Sequence, residues 1–205
     1  MNKYIIFSAK AISSIFAPWN LALLGYTLLL LFSYMNGLPW QVIVILLLTV
    51  YFFTMFLPHL CISIYARANG LKGQKISRRE YRIMPYFFNI ICYCALLFVL
   101  NKIYHTPLFS QGIILCALIL QIVCSITNIW IKVSTHAAGA AGFTGALMAF
   151  SLVYGFNATG WLCLSVLICG AVCSSRMILR QHTLGEVGLG TLIGLLCGWC
   201  VVLFL

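Results

Sequence analysis

His182 and Glu186 stand four residues apart in the stretch Ser175-Arg176-Met-Ile-Leu-Arg180-Gln-His182-Thr-Leu-Gly-Glu186. At a helix start that spacing puts both side chains on one face, close enough to touch. A carboxylate accepting from one imidazole nitrogen fixes the tautomer and leaves the other nitrogen free to attack an electrophile. An acid at the start of a membrane helix is costly and therefore points to a function or a partner. The structural alternative is a plain ion pair of Glu186 with Arg176 or Arg180.

Two other polar stretches carry related chemistry. Lys132-Val133-Ser134-Thr135-His136 directly precedes a run of small residues. Ser134 is a good N-cap there, and the helix it starts offers unpaired N–H groups to an anion. Residues 67–82 hold six of the twelve Lys and Arg, among them Lys75 and Arg82. Alone, that loop reads as an anionic-lipid anchor and a topology signal.

The elements that must position these residues follow from composition. Of 205 residues, 63% are apolar and 7% are charged, against roughly 25% charged in a soluble domain. A mean hydropathy of +1.09 leaves too little polar surface to coat a soluble globule. A soluble enzyme, a disordered chain and a nucleic-acid-binding protein are thereby excluded. The net charge is +10, with Glu80 and Glu186 as the only acids. Cations set between apolar runs suit anionic lipid head groups or phosphate. The ten Cys lie inside apolar stretches, where thiols behave as small hydrophobes, so neither structural zinc nor a required disulfide is expected.

Seven apolar segments, approximately 19–36, 41–65, 86–104, 108–130, 137–156, 160–176 and 184–205, are near the ~20 residues a membrane-crossing helix needs. Strand alternation is absent, so the expected fold is all-α: a polytopic transmembrane helix bundle of six to seven spans. Trp19, Trp40, Trp130 and Trp161 fall at segment ends, as in an interfacial aromatic belt. Small residues along 137–146, and Gly190, Gly194 and Gly198, predict close helix packing. Residues 1–18 read as an amphipathic interfacial segment ending near Pro18, because Lys10 interrupts any signal-peptide core. Residues 19–205 then form a single transmembrane domain.

Seven crossings put the N-terminus and loops 66–85, 131–136 and 177–183 on one side. Eleven of the twelve Lys and Arg belong to that side and only Lys102 to the other. The positive-inside rule makes the first side cytoplasmic, in what is expected to be a bacterial inner membrane. Loop parity also lets Lys75, Arg82, Ser134, His136, Arg176, His182 and Glu186 converge at one membrane face. Several cations, a helix N-terminus, two His and one carboxylate make a phosphate-handling site without metal ligands. Zinc is the weaker reading, since the neighbouring Arg and Lys would repel it.

In these stretches the chain resembles the type 2 phosphatidic acid phosphatases, relatives of the vanadium haloperoxidases. Their motifs are K-x6-R-P, P-S-G-H and S-R-x5-H-x3-D. Here, in the same order, stand Lys75-x6-Arg82, Val133-Ser134-Thr135-His136 and Ser175-Arg176-x5-His182-x3-Glu186. The resemblance covers roughly residues 67–190. Four positions depart from it: Ile83 and Val133 replace prolines, Thr135 replaces glycine, and Glu186 replaces aspartate.

The resemblance implies a lipid phosphatase needing no cofactor and no metal, with a lipid phosphate or diphosphate as substrate. It implies that Lys75, Arg82 and Arg176 clamp phosphate oxygens, and that Ser134 and Thr135 add hydrogen bonds. His182 would attack phosphorus, Glu186 would orient His182, and His136 would protonate the leaving oxygen. It also favours an extracytoplasmic catalytic face, against the charge bias. Two other readings remain open from the residues: a degenerate, non-catalytic binder of anionic lipid, and a small transporter relaying protons through His182 and Glu186.

Overall fold

The computed structural model describes residues 3–70, 83–155 and 157–204, and these form an all-α protein with no strand. The helices are α1 (Lys3–Ile15), α2 (Pro18–Phe32), α3 (Trp40–Tyr51), α4 (Leu57–Ala68), α5 (Ile83–Lys102), α6 (Leu108–Trp130), α7 (Thr135–Tyr154), α8 (Thr159–Ile178) and α9 (Leu184–Leu203). α3 continues through a π-helical stretch, Phe52–Phe56, into α4. That continuous helix, Trp40–Ala68, and five others are long and apolar enough to cross a membrane; α1 and α2, as one broken pair, make a possible seventh. The chain is an integral multi-pass membrane protein. Its many exposed large side chains, such as Phe98, Leu152, Leu167 and Leu196, suit lipid rather than water.

The first expected segment, 19–36, is shorter than the sequence suggests. α2 has 15 residues, or about 22 Å at ~1.5 Å per residue, less than a hydrocarbon core. Its end is set by Ser33, whose hydroxyl accepts from the Met35 N–H and starts a 3-10 turn, Tyr34–Gly37. The break before α2 has an equally local cause. Pro18 has no N–H to give to the Ser14 carbonyl. The Asn20 side-chain amide donates there instead, at 2.9 Å, and to the Ile15 carbonyl at 3.0 Å.

Two compact units are formed, residues 22–114 and residues 1–21 with 115–205. In residues 22–114 the buried side chains include Tyr26, Leu30, Val50, Tyr93, Leu96 and Leu100. The π-helical stretch lies just ahead of Pro58, whose ring and missing N–H disfavour a regular turn there. His59, alone in this apolar span, is engaged by its own helix, with Nδ1 2.8 Å from the Met55 carbonyl oxygen.

The other unit contains Ser134, Thr135, His136, Arg176, His182 and Glu186, and its centre is the pair α7 and α9. These helices run parallel: Gly190 faces Ser134, Gly194 faces Ala138, and Gly198 faces Gly142. A Cβ at Gly194 or Gly198 would overlap a carbonyl oxygen of α7, and one at Gly145 would overlap the Leu195 carbonyl oxygen. Only glycine permits this approach, as the small-residue stripes predict. α8 returns the chain between the two helices. Its Cys169 and Val172 join Leu21, Ala140 and Ala141 in a core lined by Ile12 and Phe16. Parallel α7 and α9 bring their N-termini to the same end of the unit, which is where loops 131–134 and 179–183 lie.

Candidate active site

The link from α8 to α9 is a short, fully specified turn. The Gln181 N–H donates to the Arg176 carbonyl at 3.2 Å and the Arg180 N–H to the Met177 carbonyl at 2.9 Å. With Arg180 at φ +52°, this is a Schellman ending built on a residue other than glycine. Two residues later Thr183 caps α9: its hydroxyl accepts from the Glu186 N–H, and Glu186 accepts from the Thr183 N–H at 3.3 Å. A helix ending plus this capping box accounts for the spacing Arg176-x5-His182-x3-Glu186. Between them the turn and the cap deliver His182 beside Glu186.

His182 Nδ1 lies 2.8 Å from Glu186 Oε2. A carboxylate can only accept, so the proton sits on Nδ1 and the Nε2 lone pair is left for other chemistry. The two side chains are 10% and 20% exposed, shielded but reachable. Burial holds the His182 imidazole below its ordinary pKa, and the nearby charges of Lys132 and Arg176 push the same way, whereas Glu186 pulls it up. His182 is therefore neutral at pH 7, with its lone pair available.

This balance makes a sign-definite prediction. In NMR of histidine-labelled protein, the His182 ring should titrate with a midpoint below ~6.5, the ordinary value. Glu186→Gln removes the raising influence and should move the midpoint lower still. A midpoint above the ordinary value, or an upward move in Glu186→Gln, would contradict the assigned environment.

The α6–α7 loop closes on the same turn. Lys132 Nζ donates to the Gln181 carbonyl at 2.6 Å and sits 3.5 Å from Glu186 Oε2. The Ser134 N–H donates to the Glu186 carbonyl at 3.2 Å, and the Ser134 hydroxyl accepts from the Ala137 N–H at 3.4 Å, capping α7. Val133, where the resembled motif has proline, uses its N–H to donate to Asn128 Oδ1 at 3.0 Å. That departure thus has its own anchor on α6. Thr135 is the first residue of α7 and is half-buried.

His136 and Arg176 complete the cluster. His136 lies within electrostatic reach of both Arg176 and His182. Arg176 donates through Nη1 to Ser13 Oγ at 2.8 Å. The His136 Nδ1 and the Arg176 Nε are buried with no hydrogen-bond partner among the described residues. Trp19 meets the His136 ring edge-on, with centroids 6.3 Å apart.

Of the eight residues singled out, His182, Glu186, Ser134, Thr135, His136 and Arg176 are gathered at this end of the unit. Lys75 and Arg82 lie outside the described residues. Three further participants were not legible as such. Lys132 has no assigned role in the motif Lys132-Val133-Ser134-Thr135-His136, although its charge four residues before His136 is a usable signal. Ser13 belongs to residues 1–18, which the sequence sets apart from the transmembrane domain, and Trp19 reads there only as an interfacial aromatic at the start of the first span; nothing local in the sequence ties either to the site. Neither the family models nor the curated proteins nor the solved structures yield a match to this chain.

Proposed function

We propose that the chain is a metal-independent lipid phosphatase acting through a phosphohistidine on His182. The observation that carries this reading is the His182–Glu186 hydrogen bond of 2.8 Å, beside a half-buried Arg176 and His136. A neutral imidazole oriented by a carboxylate is a nucleophile, and cations around it stabilise a crowded phosphoryl group.

The steps balance without another reactant. His182 Nε2 gives its lone pair to phosphorus, and the bond from phosphorus to the lipid oxygen breaks. His136, which takes up a proton once the anionic phosphoryl group lies beside it, gives that proton to the leaving oxygen, so the lipid leaves as an alcohol or, from a diphosphate, as a monophosphate. Water then attacks the phosphohistidine; His136 takes one proton from it, and inorganic phosphate leaves with His182 restored. Arg176, with Lys75 and Arg82 by the motif resemblance, neutralises the phosphoryl oxygens. Ser134 and Thr135 at the start of α7 add N–H donors.

A lipid fits a site at the end of a multi-pass helical unit because it can enter laterally from the bilayer. Phosphatidate, phosphatidylglycerophosphate, a polyprenyl diphosphate and a lipid A phosphate all present the required phosphoryl group. The charge bias of the loops orients the catalytic face to the cytoplasm of a bacterial inner membrane.

Purified protein in detergent, given a panel of these lipids with excess EDTA, should release phosphate, and orthovanadate should inhibit it as a five-coordinate mimic. An absolute requirement for added magnesium or zinc would overturn metal independence. No release from any member of the panel would favour a lipid-binding or transport role.

A further inference from the structure

The N-terminal helix makes a contact that neither the motif resemblance nor the proposed chemistry uses. α1 packs against α8, burying Ala9 and Ser13. Ser8, on the same helix, bonds back to the Tyr4 and Ile5 carbonyls, the usual habit of a helical serine. Ser13 Oγ serves instead as the acceptor for Arg176 Nη1 at 2.8 Å, across 163 residues of sequence.

Arg176 has reason to need such a partner. No carboxylate of the described residues lies within ion-pair distance of it, since Glu186 pairs with His182 and Lys132. A guanidinium carries five donors on a long, mobile stem. Left untied in a partly buried position, it would have several rotamers from which to choose. The Ser13 hydroxyl fixes one edge of the fork, while Nε stays buried and unpartnered, as does His136 Nδ1 beside it. The Arg176 Nε–H is a buried donor without a partner among the described residues, and a phosphoryl oxygen would satisfy it. Trp19, just past the α1–α2 break, walls the imidazole on the same side.

We propose that Ser13 is a positioning residue of the phosphate site, holding the Arg176 guanidinium in place to receive phosphoryl oxygens. The N-terminal segment is then part of the active site rather than an anchor beside it. This inference rests on the phosphatase reading and adds to it a residue far from every motif.

Ser13→Ala, Ser13→Thr and Ser14→Ala, each in the full chain in detergent, test it with orthovanadate as probe and phosphatidate as substrate. Loss of one hydrogen bond to a charged group is worth about tenfold in binding. Ser13→Ala should raise both the vanadate inhibition constant and KM by about that factor, with kcat changed less than threefold. Ser13→Thr keeps the hydroxyl and should restore both constants, which a packing role alone would not require. Ser14, exposed on α1, should tolerate Ala without effect. Unchanged vanadate affinity and KM in Ser13→Ala, or losses that Thr does not restore, would overturn the role of Ser13 alone. Wild-type protein that neither hydrolyses lipid phosphate nor responds to vanadate would instead overturn the phosphatase reading, and this inference with it.

Discussion

His182→Ala is expected to reduce phosphate release from lipid phosphates by at least about 10³-fold, because the bond to phosphorus can no longer form. The loss should appear in kcat, with folding and lipid-phosphate binding largely kept. His182 lies in a turn defined by backbone bonds at Arg180 and Gln181 and by the Thr183 cap, none of which uses the imidazole. The unfolding temperature in detergent should therefore move little. An Ala variant retaining more than a few per cent of turnover would show that another group attacks phosphorus.

Gly194→Leu is expected to be the most damaging change in the scaffold. Its side chain would have to occupy the space of the Ala138 backbone on α7. Overpacking typically costs ~1–3 kcal/mol and rises when backbone must move, so a clear fall in unfolding temperature should follow. Activity should fall further than stability, because parting α7 from α9 also parts Ser134 from Glu186, which are linked by a 3.2 Å backbone bond. Gly170 on α8 has open space around its Cβ position, so Gly170→Leu is the control. Equal unfolding temperatures and activities for the two variants would contradict the close parallel packing.

The fold was legible because its main determinant is hydrophobic length. Apolar runs bounded by Pro39, Pro107 and the polar loops give helix bounds within a few residues of those observed. Gly190, Gly194 and Gly198, spaced four apart, foretold a tight helix contact, although not that its partner would be α7 in parallel. α2 was overestimated because apolar residues continue past Phe32, and the Ser33 cap competes with helix in a way hydropathy does not register.

The candidate site was legible where its residues are close in sequence. His182 and Glu186 are neighbours through one helix start, and Ser134 caps α7 through local chemistry. Ser13 and Lys132 were not legible in role, because each acts on a group reached only through tertiary packing. Ser13 meets Arg176 only because α1 lies against α8. Lys132 reaches Glu186 only because α7 and α9 start side by side.

The most direct test of the central claim is capture of the covalent intermediate. Wild-type and His182→Ala proteins would be mixed with a lipid phosphate labelled in its phosphoryl group. Quenching in alkali, where phosphohistidine survives, and digestion would then let mass spectrometry locate the label. The phosphoryl group should be found on His182 in the wild type and nowhere in His182→Ala. Steady turnover without any phosphohistidine, or label carried by a different residue, would contradict the account.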